Sequence, residues 1–424
     1  MKNRILLFLL IVSLLFLTVS CAKTEEKSPE ITDSPELTNE NAPESAEPET
    51  TPEPETTADP ATLSSSVRLL NAVTELPSPE MTTDVDLRKI VVDYMKAMSE
   101  VVWVSEKDID YSSNGDKTLI YKAGETYMGM PYNNNKNALE PFTDQIIDGV
   151  FKTEATGWDN MIGNSCSTSI LHAWQLVSPT CKYSYTVDMN PTSKMGVVAI
   201  GEIDWSQFDN KSTTTSVLKM NSDEVIYEAY AKMLPGDAFM RHRENGGHAM
   251  MVTEVPVVVR NEKGEIDPEQ SYVTSLEQNN YLRADREHPS SWGYIVLSFA
   301  DYKKKEYLPV TVAELQSGTV EKPAFAVTEQ PDLNLLTRTG LFFNGKVTGN
   351  AWLYTAKVEL HRDNENGEVL LSNTTHPYQK FFSLSTIVSA INLKELPAGT
   401  YVLTVDAGTF LGSERVYSLE ITRS

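Results

Sequence analysis

Cys166 lies in the stretch WDNMIGNSCSTSILHAWQLV. Gly163-Asn164-Ser165 is a run of turn and capping residues, and Ile170, Leu171, Trp174 and Val177 follow at helical spacing. Cys166 is therefore expected in the first turn of a buried helix. Free backbone N–H groups and the helix dipole favour a thiolate there, and the same N–H groups can stabilise an oxyanion during acyl transfer. The plainer readings are a small core cysteine, or one half of a disulfide with Cys181. A second stretch, LPGDAFMRHRENGGHAMMVTEV, carries a Gly-Asp turn, a strand, a polar hairpin and then Gly246-Gly247-His248 at the start of another apolar strand. A histidine beside a tight turn suits a base facing a cleft. A third, SYVTSLEQNN, is a further strand ending in Glu277-Gln278-Asn279. A polar side chain there can bond the far ring nitrogen of His248 and hold its tautomer.

Cys on a helix, His on a strand and a polar residue on the next strand, in that order, resembles the papain-like NlpC superfamily of cell-wall cysteine peptidases and amidases. The residues that carry the likeness are NSCSTSILHAW, PGDAFM with GGHAMMV, and the upstream YMGMPYNNN, which is similar to the superfamily's Gly-x-Pro-Tyr segment. It covers roughly residues 120–310. Ser165 stands where the superfamily usually has Asp, and Asn133-Asn134-Asn135 where it has Gly-Gly. The resemblance implies Cys166 as nucleophile, His248 as general base and Gln278 as the residue that orients it, with Glu277 the alternative. It also implies that Tyr132 lines the site. Strand alternation puts Gln278 with Leu276 and Thr274, and Glu277 with Ser275 and Val273, without saying which face meets the cleft. No cofactor and no metal is expected.

The elements that must position these groups read as α+β: a papain-like, NlpC-type domain over 66–325, then a small all-β sandwich of Ig-like kind over 326–424. Leu87, Ile90, Val91, Tyr94, Met98 and Val101 predict a helix with Thr83 or Asp84 as its cap. A second helix is expected after Asn221-Ser222, stopping before Pro235-Gly236. Strands are expected over 196–203, 249–259, 272–276 and 294–299. In the last region they are expected over 340–347, 355–361, 381–384, 401–405 and 415–421, with Asn366-Gly367 a hairpin signal.

The other polar groups have plain readings. His242, with Arg241 and Arg243, reads as an exposed hairpin rather than as a zinc pair with His248. His172 reads as a packed or half-exposed residue, and His361 and His376 fall in the all-β region. Lys303-Lys304-Lys305 reads as a solvated turn. Trp352 and Tyr354 read as core before they read as a sugar platform.

The chain begins MKNRILLFLLIVSLLFLTVSC. Its apolar run is too short to span a membrane and reads as a signal peptide over 1–20, with Cys21 the lipidated residue of a bacterial lipoprotein. Residues 21–65 are rich in Pro, Thr and Glu, with almost no large apolar side chain, and read as a disordered tether. Lys and Arg number 36 against 59 Asp and Glu, a net charge of -23, which argues against nucleic acid as a partner. Three cysteines exclude a disulfide-built scaffold. The expected protein is an exported, membrane-tethered hydrolase at the outer face of a bacterial membrane or in its wall, cutting amide or peptide bonds of peptidoglycan. The other readings are an inactive cell-surface binding lipoprotein and a transglutaminase-like enzyme, since that family also orders Cys, His-Ala on a strand, then an acid.

Overall fold

The computed structural model describes residues 65–112, 119–155, 160–182, 185–208, 213–244, 246–339, 344–388 and 396–424. The signal peptide, Cys21 and the tether up to residue 64 lie outside them.

Strands dominate, and the α+β, papain-like expectation is overturned. It placed helices first and strands later. Instead Ser65–Ala72, Val102–Ser105, Thr126–Met128, Ile146–Ile147 and Val150–Phe151 all precede the Cys166 helix. Among the described residues only Leu87–Glu100 and Cys166–Gln175 are helices of ten residues or more. Strands of two to four residues offer no alternation long enough to read in a sequence window. They are held instead by an aromatic cluster, in which Trp103 packs on Tyr121, Tyr127, Phe142 and Phe151 at centroid distances of 5.1–5.7 Å.

The centre is a six-stranded sheet in the order Ser290–Ser298, Tyr272–Arg283, Gly246–Val252, Ala238–Arg243, Leu308–Val312, Val197–Ala199, antiparallel throughout. The helix Leu87–Glu100 buries Val91, Tyr94, Met95 and Met98, and its cap is Asp86, two residues beyond the expected position, which accepts from the Lys89 N–H at 3.0 Å. The helix Asp223–Ala231 is capped by Ser222, which accepts from Val225 N–H at 3.3 Å.

The C-terminal region pairs a five-stranded sheet, ordered Ser65–Ala72, Gly412–Arg423, Gly399–Thr409, Thr355–Arg362, Val369–Thr375, with a three-stranded one of Phe325–Glu329, Lys346–Leu353 and Gln379–Ser383. Val347, Leu353, Val358, Leu360, Leu403 and Leu419 belong to its own buried core. The boundaries at 66 and 326 therefore change. Strand Ser65–Ala72 belongs to the last sheet, with Val67 opposite Ile421 and Leu69 opposite Leu419. Both regions form one compact unit. Part of the seam is Glu140, whose carboxylate accepts hydrogen bonds from the hydroxyls of Tyr94, Tyr354 and Tyr378. Tyr354 is thus a contact between the two regions.

A fragment of residues 330–424 lacks two of these strands. It should fail to melt cooperatively, whereas 65–424 should do so. Val67→Asp in the longer chain should lower the midpoint, by roughly 2–4 °C for each kcal/mol lost. Calorimetry on the two fragments checks both outcomes.

Candidate active site

The Cys166 helix starts where its capping residues predict. Ser165 is the N-cap; its N–H donates to Thr168 Oγ1 at 2.7 Å, and Ser169 N–H donates to Ser165 O at 2.9 Å. Trp174 Nε1 donates to Gly236 O at 2.8 Å and so ties the helix to the Gly-Asp turn before strand Ala238–Arg243. Asp237 of that turn is buried and pairs with Arg88 at 2.9 Å. Burial raises its pKa against the opposing pull of Arg88. The turn motif thus connects the long first helix, the Cys166 helix and the central sheet.

His248 is the third residue of strand Gly246–Val252 and lies close enough to Cys166 to act on its thiol. Its Nε2 lies 2.8 Å from Glu277 Oε2, which leaves Nδ1 for the thiol. Burial is the largest influence on Cys166 and acts to raise its pKa. The His248 charge, its hydrogen bond and the backbone N–H groups of Ala249 and Ser167 outweigh burial and hold the thiol below its ordinary value. Burial likewise pulls His248 down. The Cys166 and Glu277 charges and hydrogen bonds overcome it, and the imidazole is pushed up to about 9. The same contacts therefore favour the charged form of both partners, lowering the thiol and raising the imidazole.

Glu277, not Gln278, is the partner of His248. Met250 stands opposite Glu277 in the strand register, so Glu277 shares the face of Met250 and, two residues back, of His248. Gln278 points the other way and donates from Nε2 to Met130 O at 3.0 Å. That carbonyl also accepts from Ser291 Oγ at 3.1 Å and Trp292 Nε1 at 2.8 Å. Gln278 thus anchors the segment that presents Tyr132. Burial raises the Glu277 pKa, but His248, Asn279 and Arg283 together bring it below the usual carboxylate value. Arg283 Nη1 reaches Glu277 Oε1 at 3.2 Å and is itself held by Asp285. A side chain on Gly293, opposite Glu277, would collide with Arg283 Nε, so this glycine clears the path of the guanidinium.

Tyr132 bridges to Asn164 beside the helix start, with Asn133 N–H on Asn164 O at 2.7 Å and Asn164 N–H on Pro131 O at 3.2 Å. A Cβ on Gly163 would meet Pro131 O, so the close approach of the two loops requires that glycine. Burial and then the Cys166 charge push the Tyr132 phenol well up, which keeps it a neutral donor. Tyr132, His248, Glu277, Tyr307 and Arg241 line a cleft of about 400 Å³.

Sequence reasoning missed Arg283, Tyr307 and Arg241. A register irregularity separates Gln278 from Arg283, so alternation along the strand carries no signal that Arg283 meets Glu277. Arg241 is no exposed hairpin residue, and Lys305 lines the same cleft and is no purely solvated turn residue. Cys181 is buried and unoxidised, as is Cys166, and burial raises its thiol pKa. His172 is buried and held down to about 4 by burial, its Nε2 on Lys136 O at 2.9 Å. His242 packs edge-on to Phe208, and among the described residues no group of acidic, His or Cys side chains could hold a metal. His361 is buried near Thr404, and His376 bonds Tyr354 O at 2.8 Å. No protein-family model matches the chain, and neither a curated protein nor a solved structure does.

Iodoacetamide should alkylate Cys166 at a rate whose pH limb lies below that of a free thiol, because the thiolate is the low-pKa form. His248→Ala should move that limb upward, and Cys181 should stay unlabelled in the folded protein. Mass spectrometry of alkylated peptides across pH reads all three.

Proposed function

We propose that the protein is a cysteine hydrolase that cleaves amide bonds, with peptidoglycan stem peptides as the substrate. The observation that supports this best is the row Cys166–His248–Glu277, whose His248 and Glu277 line a cleft. The motif likeness to NlpC-type amidases supports the same chemistry. In this reading the Cys166 thiolate attacks the amide carbonyl carbon, and the carbonyl electron pair moves onto oxygen. The backbone N–H groups at the helix start and the Tyr132 hydroxyl are the donors available to that oxyanion. The C–N bond then breaks as the His248 imidazolium passes its proton to the departing nitrogen. Water attacks the thioester, His248 takes its proton, and the thiolate leaves. Glu277 holds the ring and stabilises the imidazolium.

A second reading has a specific observation in its favour. The orienting group is an acid, and His248-Ala249 lies on a strand, as in the transglutaminase-like order. The two readings differ only in whether water or an amine resolves the thioester.

Cys166→Ala and His248→Ala should each abolish hydrolysis of a muropeptide amide with the fold unchanged, since general-base help alone is worth roughly 10²–10⁴-fold. Glu277→Ala should cost more than Gln278→Ala. The rate should fall above about pH 9, as His248 loses the proton destined for the leaving group. At the acid end it should fall as Cys166 gains one. Chromatography of digested muropeptides measures the losses. Activity that survives Cys166→Ala would sink the proposal.

The same reading places the protein at the outer membrane face through a lipid on Cys21. Cys21→Ala should release it from the membrane fraction or block its processing. Fatty-acid labelling that misses the wild-type protein would contradict this.

A further inference from the structure

The charges that line the cleft are not balanced. Glu277 is committed to His248, Asn279 and Arg283. Arg241 and Lys305 also line the cleft, and neither makes a side-chain hydrogen bond or ion pair with a described residue. Arg241 stands directly opposite His248 in the strand register, so the two side chains leave the same face, roughly 5 Å apart at Cβ. Its guanidinium lies over the Tyr307 ring at 4.9 Å, and that ring also meets the imidazole edge-on at 6.3 Å. Its Nε is buried without a partner. Glu306, the acid near enough to feel Arg241, has its oxygens on Arg243 Nε at 2.6 Å and Thr215 Oγ1 at 2.5 Å.

A guanidinium held over an aromatic ring, lining a cleft and with no acid of its own, is suited to receive a planar anion. In a chain of net charge -23 such an uncompensated cation pair stands against the overall field. The geometry points to Arg241, assisted by Lys305, as a carboxylate-binding subsite beside His248. The substrate class is then an amide or peptide carrying a free carboxylate about one or two residues from the bond that is cut. The subsite rests on the hydrolase reading for that last step only.

Paired alkylating agents test it without requiring any hydrolysis. Iodoacetate is a carboxylate and iodoacetamide its neutral counterpart, and both react at Cys166. Arg241→Gln in the full chain should lower the iodoacetate-to-iodoacetamide rate ratio by roughly tenfold, as expected for one charge removed from a partly screened site. Lys305→Gln should lower it less, and Arg241→Lys should keep most of it. An unchanged ratio in Arg241→Gln overturns the subsite. So does a fall of both rates together, because the arginine then serves the thiolate or the fold. With a cleaved substrate in hand, Arg241→Gln should raise KM for the free acid and leave KM for its carboxamide unchanged. If the ratio shifts as expected while no amide is cleaved, the hydrolase reading fails and the anion subsite stands.

Discussion

The burial of Cys166 and His248 side by side, with partners that favour the charged form of each, is the constraint that organises this molecule. Each ion taken from water costs on the order of several kcal/mol, and only good partners offset that. The thiolate is met by His248 and by two backbone N–H groups, and the imidazolium by Glu277. Glu277, being buried, then needs a cation, which Arg283 supplies, and Arg283 leads out to the exposed Asp285. The row of alternating charge thus runs from the helix start to solvent. Gly293 exists within it as space for a guanidinium. A break at any member takes one charged partner from its neighbour.

The second demand is that the sulfur stay at the helix start. Three attachments secure this: the Ser165–Thr168 cap, the Trp174 bond to Gly236, and the Tyr132–Asn164 bridge. The bridge depends on Met130, whose carbonyl takes three side-chain donors from strands on the far side of the sheet. At its other end the Cys166 helix carries His172, which sits edge-on to Tyr378 of the C-terminal region. Tyr378 also binds Glu140, so the all-β region buttresses the base of the helix that bears the thiolate.

Cys166, His248, Tyr132 and the Gly-Asp turn were legible because each is local. Capping residues, a tight turn or an apolar period surrounds it, and the chain order survives folding. The long strands around 246–298 and 355–423 were legible for the same reason, since alternation over five or more residues is a signal. The choice between Glu277 and Gln278 was not. It depends on register with a strand about 25 residues upstream, and a shift of one residue exchanges the faces. The layering was misread because the short strands before Cys166 gain their stability from the Trp103 aromatic cluster rather than from their own pattern. Strand Ser65–Ala72 was missed since its partner, Gly412–Arg423, lies at the other end of the chain.

An acid rather than an amide behind His248 has a chemical consequence. An amide at this position would hold the ring in one orientation and do little to its charge. A carboxylate does both, and here it helps to push the imidazole up to about 9. A ring that stays protonated at neutral pH is a ready acid for a departing amine and a poorer base toward water. It gains its power as a base only after that proton has gone to the leaving group, when the thioester is in place and no thiolate competes for it. The acid at Glu277 therefore suits a reaction whose difficult step is expulsion of a basic nitrogen. Arg283 limits the effect by drawing part of the Glu277 charge away from His248. The identity of one side chain, and the guanidinium that Gly293 admits behind it, set the balance between the two halves of the proposed reaction.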